Sequence, residues 1–145
     1  MKVKDIINQK GSDIYSVTSD ETVFNAIKSM SELKIGALLV IDDNNLSGII
    51  SERDYRDKVI LMGKQSKTTR VREIMTSKVY KVEPGDDLNT CMRIMTNQKI
   101  RHLPVMENET VVGVISIGDV VKSMIDEQKF EINSLKDYIA GSYPG

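Results

Sequence analysis

The sequence predicts an α/β fold built from two copies of one unit. Each copy runs short helix, strand, helix, strand, strand, helix, and the two pack about a pseudo-twofold axis. Three observations predict this. At an offset of 65 residues, positions 14–60 align without a gap onto 79–125, and twelve pairs are identical, where ordinary composition gives roughly three. In both copies the apolar residues pass from helical spacing to short continuous runs at matching places. The chain of 145 residues, 40% hydrophobic and 28% charged, has the balance of a globular protein. One copy alone, below about 70 residues, has too little apolar surface to hold a core, so the two must pack on each other and leave two related clefts.

Each element has its own signal. Val3-Lys4-Asp5-Ile6-Ile7 resembles Val71-Arg72-Glu73-Ile74-Met75 at an offset of 68, so the first copy carries three extra residues around Gly11 and Ser12. Ile14–Val17 and Val79–Val82 read as opening strands. Val23, Ala26, Ile27, Met30 and Leu33 recur at helical spacing in a stretch without Gly or Pro, and Leu88, Cys91, Met92 and Met95 do the same. Ala37–Ile41 and Leu103–Met106 read as buried strands. Asp42-Asp43-Asn44-Asn45 and Glu107-Asn108-Glu109 turn the chain into Leu46–Ile50 and Val111–Ile115. Final helices start at Ser51, with Tyr55, Val59 and Met62 on one face, and at Ser116, with Val120, Val121, Met124 and Ile125. A tail helix with Leu135, Tyr138 and Ile139 is expected to end at Gly141. The organisation is therefore 1–63 for the first repeat, 64–70 for a linker, 71–128 for the second repeat and 129–145 for the tail. Lys64, Lys67, Arg70 and Arg72 fall in a stretch without acids, which reads as a solvated linker.

Composition excludes several classes. Net charge is −1 and the pI about 5.9, without the basic excess of a duplex binder. Nucleic acid is not an expected partner. The longest apolar run, Gly36–Ile41, is far short of the roughly 20 residues of a membrane span, and Met1–Lys10 does not read as a secretory signal. Cys91 is the only cysteine, which fits a reducing compartment. A cytoplasmic protein is expected.

The motif with chemistry is a strand passing through Gly into Ser-x-x-Asp, at Gly48–Asp54 and again at Gly113–Asp119. Ser followed by an acid three residues on is a capping box. The same combination can also serve a ligand. A helix N-terminus favours phosphate, a carboxylate in the first turn can accept from a ribose diol, and glycine lets a ligand approach the backbone. Both readings can hold at once.

These motifs, with Arg101-His102-Leu103-Pro104-Val105 and the opening Val71-Arg72-Glu73-Ile74-Met75-Thr76, resemble the cystathionine β-synthase (CBS) domain, and two in tandem resemble a Bateman module. The resemblance covers about residues 3–127. Ser51-Glu52-Arg53-Asp54-Tyr55 and the ending Tyr138–Gly145 are similar to stand-alone bacterial CBS-pair proteins. The resemblance implies a regulatory ligand from the adenosine class: AMP, ADP, ATP, NAD or S-adenosylmethionine. It implies that Asp54 and Asp119 hold ribose and that Ser51 and Ser116 lie near ribose or phosphate. It further implies that Ile14-Tyr15 and Val79-Tyr80 offer backbone to adenine, and that Arg101 and His102 meet phosphate. A homodimer, forming a disc of four repeats, is implied as well; apolar helix faces around Tyr55, Val59, Met124 and Ile125 are expected to supply its interface. The first copy departs from the pattern, with Gly36-Ala37-Leu38-Leu39 opposite Arg101-His102-Leu103-Pro104, so the two clefts are not expected to be equivalent.

Arg53 and Arg56 stand in the first turns of a helix, where cations oppose the dipole. Each either pairs with an acid or reaches into the cleft. Cys91 and the methionines read as core. No nucleophile elbow, Gly-rich phosphate loop or metal spacing is present in the sequence, so no catalytic residue, catalytic cofactor or metal is expected. The leading expectation is a nucleotide sensor that signals to a protein partner. The rival readings are a ligand-free dimerisation or adaptor module and, third, a nucleotide hydrolase.

Overall fold

The computed structural model describes residues 1–11 and 13–142. Ser12 of the three-residue insertion and residues 143–145 of the closing motif lie outside the described residues. The elements are α1 (Val3–Lys10), β1 (Ser16–Val17), α2 (Val23–Leu33), β2 (Ala37–Asp42), β3 (Asn45–Ser51), α3 (Glu52–Tyr55), α4 (Val71–Ile74), α5 (Leu88–Gln98), β4 (His102–Glu107), β5 (Thr110–Ser116) and α6 (Ile117–Ser142). The fold is α/β, with two similar repeats packed on each other.

The repeat is visible in detail. β2 and β3 pair antiparallel, as do β4 and β5, and each hairpin shifts register at the same place, after Val40 and after Val105. Each turn is two residues with positive φ, Asp43-Asn44 and Asn108-Glu109. Such turns match the twist of the strands they join. Both long helices stop on a left-handed lysine, Lys34 and Lys99. The amide of the following isoleucine then reaches back to Met30 or Met95. The shared Lys-Ile pair is thus a helix-ending device. β1 pairs parallel with β2. Of the second opening strand expected at Val79–Val82, only Val82 bridges Val105.

The opening helices exchange places. Val3 and Ile6 of α1 are buried with Val82, Leu88, Cys91 and Leu103 in the core of the second repeat. Val71 and Ile74 of α4 are buried with Val23, Met30, Val40 and Ile50 in the core of the first. The hydrogen bonds repeat the exchange: Val3 N–H donates to Asp86 O, and Val71 N–H to Glu21 O. Burying each of these four apolar side chains contributes about 1.5–3 kcal/mol, so neither repeat completes its core without the other's opening helix. The same exchange explains the strand glycines. A Cβ on Gly48 would lie 2.7 Å from Thr76 O, and one on Gly113 would lie 2.5 Å from Ile7 Cδ1. What approaches these backbones is the chain itself, not a ligand as the motif suggested.

Three further expectations change. The linker is not merely solvated: Thr69 is buried, its carbonyl accepts from Val23 N–H, and Lys67 lies over the Phe24 ring. Met62 leaves the apolar face of α3, because a π-turn at Arg56–Ile60 unwinds the helix. Met62 is exposed while Val59 is buried. The tail is not a separate helix ending at Gly141, since α6 runs unbroken from Ile117 to Ser142.

Candidate functional site

Both Ser-x-x-Asp motifs form the capping box that their spacing predicts. Ser51 N–H donates to Asp54 Oδ2 at 3.0 Å, and Ser116 N–H donates to Asp119 Oδ2 at 2.8 Å. Asp54 N–H and Asp119 N–H return the bond to the serine hydroxyls at 3.3 and 3.1 Å. Beyond the cap the two carboxylates part company.

Asp119 opens onto a cleft of about 450 Å³, within the range of small-ligand sites. Ser116, Asp119 and His102 of the second repeat meet Tyr15 and Gly36 of the first there, with Lys10 at the end of α1. Lys10 Nζ donates to Asp119 Oδ2 at 2.7 Å and to Val114 O at 3.0 Å. Burial opposes the charge on Asp119, but the Lys10 ammonium and the Ser116 amide more than offset it and hold the carboxyl below the usual range. His102 opens β4 and faces the same space. Burial lowers its pKa, assisted by the Lys10 and Arg101 cations and opposed by Asp119 and Glu52. A neutral imidazole offers one donor and one acceptor. Gly36 lies against the ring, and a Cβ there would sit at an ordinary contact distance, 3.5 Å from His102 Cε1.

Asp54 is in a different setting. It is 7% exposed, and it takes Lys58 Nζ at 2.9 Å and the Thr76 hydroxyl at 3.3 Å. Thr76 bridges Ile49 antiparallel and so lies along β3. The difference begins in the opening helices: α1 has eight residues and carries Lys10 to Asp119, whereas α4 has four and gives way to an extended Met75-Thr76. The offset of 68 between these openings pairs Lys10 with Lys78, and Lys78 lies instead over the Tyr80 ring.

The remaining expected residues scatter. Ile14 lines a second depression with Ile7 and Val112. The Tyr15 carbonyl accepts from Leu39 N–H. Tyr80 packs on the core of the second repeat, and Val79 is half-buried. Arg101 is exposed and contributes its carbonyl to Ile117 N–H. Arg53 Nη1 donates to Lys99 O at 2.6 Å and so ties the first repeat to the second. Arg56 pairs with its neighbour Asp57. The structure thus gathers Tyr15, His102, Ser116 and Asp119, and leaves Ile14, Ser51, Asp54, Val79, Tyr80, Arg53, Arg56 and Arg101 outside that cleft. Sequence reasoning missed Lys10; its alignment with Lys78 was the available signal. Burial pushes the Cys91 thiol up to about 11. Among the described residues no group of three or more His, Cys, Asp and Glu is arranged to hold a metal, and no helix is long and apolar enough to cross a membrane.

Comparison with known proteins identifies the repeat. The family model described as CBS domain matches residues 3–60 and 71–126. The chain is 39% identical over 150 residues to the CBS domain-containing protein CBSX3, mitochondrial, of Arabidopsis thaliana, covering 97% of this chain and 73% of that protein. A solved CBS-domain protein from Burkholderia ambifaria superposes with a TM-score of 0.86 at 49% identity, covering 88% of this chain and 96% of the other. The CBS domain pair of MJ0100, solved with 5′-methylthioadenosine and S-adenosyl-L-methionine, superposes with a TM-score of 0.77 at 23% identity, covering 88% of this chain and 98% of the other.

Proposed function

Because the chain belongs to the CBS-domain family, we propose that it is a regulatory module that binds an adenosine-class ligand and signals, as a homodimer, to a protein partner. The observation that carries this reading is the cleft where Ser116, Asp119, neutral His102 and Tyr15 meet. A helix start supplies N–H groups and a positive dipole end for phosphate. Asp119 suits a ribose diol, and His102 supplies one donor and one acceptor. Lys10 holds Asp119 in the absence of ligand and is a cation at hand for phosphate once the ribose competes for that carboxylate. AMP, ADP, ATP, NAD and S-adenosylmethionine are the candidates. Asp54 is tied to Lys58 and Thr76, so we assign one cleft to the ligand and a structural role to the other motif.

The module is non-catalytic in this reading. The thiol of Cys91 is buried and held protonated, which does not suit a nucleophile, and a chain with a single cysteine fits a cytoplasmic setting. In the homodimer, Val59 is buried and has no surface to offer, while Tyr55 and Met124 are partly buried against the cores and Ile125 is exposed. We assign the interface to the exposed face of α6 that begins with Val121 and Ile125.

The test is thermal unfolding with each of the five ligands. A ligand at about 100 times its Kd adds roughly 2.7 kcal/mol, a rise of about 8 °C for a chain of this size. A rise with one of them, lost in Asp119→Asn, supports the sensor. No rise with any leaves the ligand-free adaptor as the better reading. Turnover of NAD or ATP by the purified protein would overturn both.

A further inference from the structure

α6 outlasts the body it packs on. Its first turns are anchored by Val120, Ser123 and Met124, and Glu127 pairs with the amino terminus at 3.6 Å. From 128 to 140 every residue is exposed. A helical stretch of about 13 residues is marginal in water without packing. Yet most of its exposed apolar residues fall on one line, Phe130 and Tyr138 excepted. Val121, Ile125, Gln128, Ile132, Leu135 and Ile139 are spaced alternately by four and three, the 3.5-residue period of a coiled-coil seam. Ile132, Leu135 and Ile139 are 53%, 60% and 48% exposed among the described residues.

We propose that α6 pairs with α6 of a second copy as a parallel two-stranded coiled coil. The proposal rests on the homodimer in the reading above and names the surface that makes it. Two features select this occupant. Isoleucine at 125, 132 and 139 alternates with Val121 and Leu135, and β-branched residues at one seam position with leucine at the other favour two parallel strands. The flanking charges agree. Lys122, Lys129 and Lys136 all follow the same seam position. Antiparallel helices would set these lysines against one another. Parallel helices instead bring Glu131 beside Lys136 of the second copy, five residues on, which is the attractive arrangement. Gln128 is the single polar residue in the seam; facing Gln128 of the second copy only in register, it favours one alignment at some cost in stability.

The experiment uses the full chain. Sedimentation equilibrium at tens of micromolar should give twice the 16.3 kDa chain mass, and Ile132→Glu with Leu135→Glu should halve it. Both substitutions fall on exposed positions, so far-UV circular dichroism should keep its strand signal. Under mild oxidation Leu135→Cys should form a disulfide between copies, and Asp137→Cys, off the seam, should do so at least tenfold more slowly; buried Cys91 does not compete. A monomeric wild type overturns both the homodimer and the coil. A dimer that survives the double glutamate variant, or cross-linking as fast at 137 as at 135, overturns the coil and leaves the homodimer standing.

Discussion

Replacing Asp119 by Asn separates the two roles that the capping box combines. The side-chain oxygen of Asn can still accept from Ser116 N–H, now 2.8 Å from Oδ2, so most of the cap survives. The charge is lost, and with it the Lys10 pair at 2.7 Å. That pair is 40% exposed at the lysine and 25% at the acid, so its loss costs only about 0.5 kcal/mol and lowers the unliganded Tm by about 2 °C. The ligand effect is larger. A ribose diol bonded to a carboxylate is worth about 2 kcal/mol, so Asn should weaken binding roughly 30-fold. At a concentration that is 100 Kd for the wild type, the stabilisation falls to about 1 kcal/mol and the shift from about 8 to about 3 °C. Asp54→Asn is the contrast. Its carboxylate is 7% exposed and takes bonds from Ser51, Lys58 and Thr76; the unliganded protein should lose about 1–3 kcal/mol while the ligand shift stays intact. Differential scanning fluorimetry with the ligand that gives the largest rise reads both numbers. A full ligand shift in Asp119→Asn would refute the assignment of Asp119 to the ribose.

Three further outcomes are expected. His102 has a lowered pKa in the folded state, so its contribution is complete above the unfolded value of about 6.5 and is lost as pH falls toward the folded value. Unfolding free energy of the wild type should therefore drop from pH 7 to pH 5.5, and a curve for His102→Gln with the same drop would contradict this. Gly48→Ala must push the Thr76 carbonyl away from β3 and should cost about 1–3 kcal/mol in urea unfolding. Gly113→Ala meets only the tip of Ile7 and should cost less, and Ile7→Val, which removes that atom, should cancel part of the cost; equal costs at the two glycines would contradict the reading. Cys91, with its thiol pushed up to about 11, should react with a disulfide reagent only on unfolding, and rapid native labelling would show that the core of the second repeat opens.

What could be read in the sequence was whatever is local. Capping boxes, the turns between strands and the apolar period of α2 and α5 each depend on residues within a few positions of one another, and the offset of 65 compares such local patterns along the chain. The exchange of α1 and α4 was not legible. Val3 and Val71 look alike in sequence whichever core they enter, and the choice is made by backbone bonds to Asp86 and Glu21, far along the chain. The same limit explains the site. Asp54 and Asp119 are equal in sequence, and they diverge because α1 runs one turn longer than α4 and delivers Lys10, whereas Thr76 arrives at Asp54 as extended chain. Arg53 and Arg56 were candidates by charge alone; a neighbouring carbonyl and a neighbouring acid claim them first.

The exchange also determines what a ligand can move. Lys10 is the last residue of α1, and Val3 and Ile6 of the same helix are fixed in the core of the second repeat. The amino terminus, at the other end of α1, pairs with Glu127 where α6 leaves the body. In the proposed reading a ligand that takes Asp119 displaces Lys10 from that carboxylate, and the helix that carries Lys10 packs against α6. One rigid element of eight residues thus joins the cleft to the proposed seam. A ligand shifts the dimer only by the difference in its affinity for the two arrangements, and by linkage the dimer must shift the ligand by the same factor. The first repeat has no counterpart to this lever: α4 has four residues, and Asp54 is tied to Lys58 of its own helical segment. In the proposed sensor, the asymmetry of the two motifs gives one input, the Asp119 cleft, and one output, α6.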